Sequence, residues 1–162
     1  MEVVFYTESN LTETITSDKP NLLSLGTFVK ADCRKGQAII YKEIDYNSID
    51  STPRESQVLE QGAGLITLRF PAASIRRVAT FETEGVVLYQ HAKYGGIAET
   101  VPDQQTNIKF GVSSMIISGG KWELYTKSDF VGPHATKDSG KYPNPGDLQI
   151  GNDTMKSIKK VD

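Results

Sequence analysis

The sequence predicts an all-β fold built as two tandem domains, and three observations carry that reading. Short runs rich in β-branched and aromatic residues recur along the 162 residues, with turn formers between them. No stretch sustains a helix of three turns. The first half of the chain also echoes in the second at a constant spacing.

In chain order, the strand runs are Val3–Tyr6, Thr27–Ala31, Ala38–Tyr41, Gly64–Phe70 and Ser74–Val78, then Gly85–Tyr89, Ser113–Ile117, Trp122–Tyr125 and Ser157–Val161. Several alternate. In Trp122-Glu123-Leu124-Tyr125 the tryptophan and leucine share one face while Glu123 faces water, the pattern of a half-buried antiparallel sheet. Turn chemistry is dense at Gly95-Gly96, Gly119-Gly120 and Pro143-Asn144-Pro145-Gly146, where glycine supplies positive φ and proline fixes φ near −65°. Gly119-Gly120-Lys121 reads as a hairpin turn, since no helix follows it to make a phosphate cradle.

The repeat sets the domain count. Val3-Val4-Phe5-Tyr6 returns as Val86-Val87-Leu88-Tyr89, and Ala73-Ser74-Ile75-Arg76-Arg77-Val78 returns as Lys156-Ser157-Ile158-Lys159-Lys160-Val161, both at an offset of 83 residues. Two echoes at one offset predict domains over 1–79 and 80–162, joined by the polar stretch Thr80-Phe81-Glu82-Thr83-Glu84.

Composition narrows the function classes. The formal net charge is −2, and each half carries 9 basic against 10 acidic residues, so neither half offers the basic surface that nucleic acid requires. No apolar run approaches the roughly 18 residues of a membrane helix, and Met1-Glu2-Val3-Val4-Phe5 lacks the basic start of an export signal. Cys33 is the only cysteine and is expected as a small hydrophobe on a strand, so the chain is expected in the reducing cytoplasm, without a disulfide or a cysteine-based zinc cluster. His91 and His134 stand alone without zinc-ligand spacing, and no G-x-S-x-G occurs, so no enzyme activity is expected.

A finer pattern lies inside the repeat: an aromatic, four residues, a second aromatic, one residue, then glycine. It runs from Tyr89 through Tyr94 to Gly96, and again from Tyr125 through Phe130 to Gly132, 36 residues later. A hairpin folding back on its own sheet needs a residue of positive φ at the fold, and an aromatic pair can cover that glycine. The pattern resembles the βγ-crystallin signature, one copy per Greek-key motif and two motifs per domain. The resemblance implies a β-sandwich of two such motifs in each half, with Ser114 and Ser157 tying the folded hairpins down and Trp122 buried between motifs. The N-terminal half departs from it. Its Tyr41 to Tyr46 copy has Ser48 where glycine is expected, and its Tyr6 copy keeps only the first aromatic, so both N-terminal folded hairpins are in question and the domain reads as degenerate.

Calcium-binding members of that family carry N/D-N/D-x-x-S/T-S in each motif and share each ion between motifs. Here the two stretches are Lys109-Phe110-Gly111-Val112-Ser113-Ser114 and Asn152-Asp153-Thr154-Met155-Lys156-Ser157. The resemblance therefore implies one calcium site, from Asn152 and Asp153 with the Ser113 hydroxyl and backbone carbonyls at Thr126 and near Thr154. The reciprocal site would pair Lys109 and Phe110 with Lys156 and is expected empty, as is any site at Arg69-Phe70-Pro71-Ala72-Ala73-Ser74. A single carboxylate sets a weak affinity, a dissociation constant of roughly 10⁻⁵–10⁻³ M. Asn152-Asp153 is alternatively a simple Asx turn. The expected function is thus a non-enzymatic structural protein with weak calcium binding, a monomer with paired domains whose partner is the calcium ion. The alternative is a β-rich, lectin-like recognition module, for instance a β-trefoil.

Overall fold

The computed structural model describes residues 1–49, 54–79 and 84–161. The chain divides into two compact units, Met1–Thr80 and Phe81–Asp162. The linker expected at 80–84 falls, except for Glu84, outside the described residues.

The C-terminal unit contains β8 (Val86–Tyr89), β9 (Ala98–Val101), β10 (Gln104–Gln105), β11 (Ser114–Ile117), β12 (Lys121–Lys127), β13 (Val131–Lys137), β14 (Gly140–Tyr142), a one-turn helix α1 (Pro145–Leu148) and β15 (Ser157–Val161). Its two antiparallel sheets run β14-β11-β8-β9 and β10-β15-β12-β13. Each motif of four strands keeps its first, second and fourth in one sheet and gives its third, β10 or β14, to the sheet of the other motif. That exchange is the Greek-key path. The inward residues Val86, Leu88, Met115, Trp122, Leu124 and Ile158 form the core. Trp122 is fully buried, and its indole N–H donates to the Gly119 carbonyl at 2.9 Å, so the one polar atom of the ring is satisfied. Gly119-Gly120 does not close a hairpin: β11 and β12 lie in different sheets, and Gly120, at φ +75°, turns the chain from one to the other.

The N-terminal unit repeats this plan with β1 (Glu2–Thr7), β2 (Thr12–Ile15), β3 (Phe28–Lys35), β4 (Ala38–Tyr41), β5 (Ser56–Leu59), β6 (Leu65–Thr67) and β7 (Ser74–Arg77). Its sheets run β2-β1-β3-β6 and β5-β4-β7. The third strand of the first motif is reduced to a single bridge between Lys19 and Ile75. Side chain and loop take over the rest of that edge. Asp18 accepts from the Arg77 N–H at 2.7 Å, and the Leu22 N–H donates to the Ala73 carbonyl at 2.8 Å. Phe5, Phe28, Ile40 and Ile75 belong to a separate core, and Cys33, on β3, is buried in it as a small hydrophobe. Paired sheets in both units leave no threefold arrangement for a β-trefoil.

Candidate functional site

Three hairpins fold back in the same way. Tyr89 meets Tyr94 edge-on at 5.4 Å between centroids, Tyr125 meets Phe130 at 5.9 Å, and in the N-terminal unit Tyr41 meets Tyr46 at 5.8 Å. Each is fixed by a serine at the start of the motif's last strand. Ser114 Oγ accepts from the Tyr94 N–H at 3.0 Å and donates to the His91 carbonyl at 2.6 Å; Ser157 does the same for Phe130 at 3.0 Å and Lys127 at 2.6 Å. Ser74 makes the matching pair with Tyr46 and Glu43, at 3.1 and 2.7 Å.

The second N-terminal hairpin therefore forms despite Ser48. Asn47 supplies the solution. It takes φ +54° one residue earlier than glycine would, and its buried amide accepts from the Glu43 N–H at 3.0 Å and donates to the Glu55 carbonyl at 2.8 Å. Asparagine tolerates the left-handed region because its short polar side chain can bond locally. The first N-terminal hairpin is instead a short turn: the Thr7 N–H donates to the Leu11 carbonyl at 3.0 Å around Asn10, at φ +59°. In the C-terminal unit Gly96 and Gly132 do have positive φ, +73° and +90°. The atom facing Gly96 most closely is His91 Cδ2 rather than either ring of the aromatic pair; it would lie 2.6 Å from an added Cβ.

The residues expected at the calcium site meet across the two C-terminal motifs. Ser113, just before β11, is buried, and its hydroxyl lies 3.1 Å from Asn152 Oδ1 and 3.0 Å from Asp153 Oδ1, shared between the two acceptors. The Asn152 amide donates to Asp153 Oδ2 at 2.9 Å. Asn152 and Asp153 are exposed, on the turn that precedes β15. That turn is built from left-handed residues, Gln149 at φ +62°, Gly151 at +90° and Asp153 at +56°. Thr154 clamps it, its hydroxyl donating to the Ile150 and Gly151 carbonyls.

This donor set fits calcium. Ligands about 2.4 Å from one ion and adjacent on its surface stand about 3 Å apart, the spacing of Ser113 Oγ from Asn152 Oδ1 and from Asp153 Oδ1. Among the described residues no three His, Cys, Asp or Glu side chains cluster as metal ligands, so hydroxyl, amide, carbonyl and water oxygens would have to complete the shell around Asp153.

Thr126 is not part of this group. It sits at an irregularity in the β12–β13 register, with its hydroxyl on the Pro133 carbonyl at 3.3 Å, and the preceding Tyr125 carbonyl accepts from the Lys156 N–H at 2.8 Å. Thr126 therefore lies beside Lys156, in the reciprocal position. The residue in the equivalent place beside Ser113 is Gln90, because the Ser113 N–H donates to the Tyr89 carbonyl at 3.1 Å. Around the reciprocal position, Phe110 packs on the core and Lys109 is exposed. In the N-terminal unit Phe70 is likewise core and Ala73 is buried.

The outer face of β12 carries a second polar cluster. Tyr125 donates its hydroxyl to Glu123, with Lys159 Nζ 3.5 Å and His134 Nε2 4.0 Å from that carboxylate. The tyrosine hydrogen bond, then Lys159 and His134, hold the Glu123 carboxyl below the usual carboxylate range.

Exchanged third strands, aromatic-cornered hairpins and serine ties define a double Greek-key β-sandwich, complete in the C-terminal unit and reduced in the first motif of the N-terminal one. The family description Beta/Gamma crystallin matches residues 85–161. A Beta/gamma-crystallin of Ciona intestinalis is 30% identical over 80 residues, spanning 46% of this chain and 95% of the relative. The chain belongs to the βγ-crystallin family. Geodin, a βγ-crystallin from Geodia cydonium, superposes with a TM-score of 0.90 at 32% identity, covering 99% of this chain and 98% of geodin.

Proposed function

We propose that this chain is a non-enzymatic structural protein whose C-terminal unit binds one calcium ion weakly and is stabilised by it. The observation that supports this reading is the convergence of Ser113 Oγ with Asn152 Oδ1 and Asp153 Oδ1 at 3.0–3.1 Å, from loops 39 and 40 residues apart. A bound ion would take these oxygens, with backbone carbonyls for which Gln90 is better placed than Thr126, and would cross-link the two motifs. One carboxylate and an exposed turn support a dissociation constant of about 10⁻⁵–10⁻³ M. The same reading takes the chain as a cytoplasmic monomer without nucleic-acid or membrane partners; the net charge of −2 and the single cysteine, Cys33, are what support it.

Calorimetric titration of the chain with calcium chloride tests the site. Wild type is expected to show one binding event in this range, with Asp153→Ala and Ser113→Ala each reducing affinity at least tenfold. A wild type giving no heat and no thermal shift in millimolar calcium removes the metal from the function and leaves the structural role.

A further inference from the structure

Gly111 lies two residues before Ser113, in the loop that leads into β11. Its backbone is outside the left-handed region, unlike Gly96, Gly132 and Gly151 at φ +73°, +90° and +90°, so conformation does not call for glycine at this position. Space does. A Cβ on residue 111 would stand 2.6 Å from Asp153 Oδ1, 2.7 Å from Cγ and 2.8 Å from Cβ. Non-bonded carbons settle at about 3.5–4.0 Å, so the added methyl and the aspartate cannot both keep their places.

The aspartate has little room to yield. Its backbone is held at φ +56° inside the turn clamped by Thr154, one carboxylate oxygen takes the Ser113 hydroxyl at 3.0 Å, and the other takes the Asn152 amide at 2.9 Å. Moving it away from residue 111 would pull on the contact with Ser113 as well. We propose that Gly111 is a positioning residue: the absent side chain is the space that lets the Asp153 carboxylate lie against the first motif's loop and reach Ser113. The inference rests on the calcium reading for its consequence, but its geometric content is independent of the ion.

Two measurements on the full chain test it. In calcium titration Gly111→Ala is expected to weaken binding at least tenfold. The control Gly146→Ala, where an added Cβ meets nothing within 4 Å, is expected to match wild type. In calcium-free buffer, Gly111→Ala is expected to lower the melting temperature of the C-terminal unit, and that loss is expected to vanish in an Asp153→Gly background, where the obstructing side chain is gone. Equal losses in both backgrounds, or wild-type calcium affinity in Gly111→Ala, overturn the proposal. If wild type binds no calcium, the metal reading falls, and the calcium-free comparison alone decides the role of Gly111.

Discussion

Tyr94 is 4% exposed, and burial, aided by the Asp147 carboxylate, pushes its phenol up to about 12 from the ordinary 10.0. The folded chain therefore holds this proton in a pH range where the unfolded chain has released it. Because the unfolded state then binds fewer protons, stability falls as pH rises: the contribution is intact below pH 10 and is lost by about pH 12. Its size is roughly 2–3 kcal/mol. Urea unfolding of the C-terminal unit between these limits is expected to show that decline in wild type and a flatter profile in Tyr94→Phe; parallel profiles would assign the alkaline loss elsewhere. The same residue shows what the sequence made visible. Its place in the aromatic spacing could be read directly, whereas the contact of Gly111 with Asp153 could not, because those two residues come from loops 42 positions apart with no pattern linking them.

At the scale of elements, the folded hairpin from Tyr41 to Tyr46 shows that the fold needs a left-handed residue and a tie, not glycine itself. Asn47→Ala keeps neither the tolerance for φ +54° nor the acceptor for the Glu43 N–H, and is expected to cost about 2–4 kcal/mol in chemical denaturation of the N-terminal unit. Asn47→Gly keeps the backbone and loses only the amide bonds, so it is expected to cost less, about 1–2 kcal/mol. An alanine as mild as the glycine would mean that the backbone angle carries no strain. Strand legibility followed the same logic of environment. Every central strand, β1, β3, β4, β8, β11, β12 and β15, overlaps a run readable from its apolar and aromatic residues. The strands that sequence reading missed, β2, β5, β9, β10, β13 and β14, all lie at sheet edges. An edge strand buries less, so segments such as Gln104–Gln105 and Gly140–Tyr142 carry little apolar periodicity.

Across the whole molecule the two units differ in what secures them. Among the described residues the N-terminal one has seven strands and a bridge, and its first hairpin has neither an aromatic pair nor a serine tie. It is expected to melt first. Trp122 is the single tryptophan and sits in the C-terminal core, so its fluorescence follows that unit alone, while circular dichroism follows both. On heating, the circular dichroism transition is expected to begin below the fluorescence transition, and calcium at about 100 times its dissociation constant should stabilise only the latter, by about 2.7 kcal/mol. A fluorescence change that comes first reverses the order. The exchanged strands β10 and β14 carry a different consequence. A chain severed at Gly119-Gly120 would leave two fragments, each holding one edge strand of the other's sheet, so neither could complete a sandwich alone. Mixed together they would reassemble, and the C-terminal unit would serve as a split reporter whose signal depends on both pieces being present.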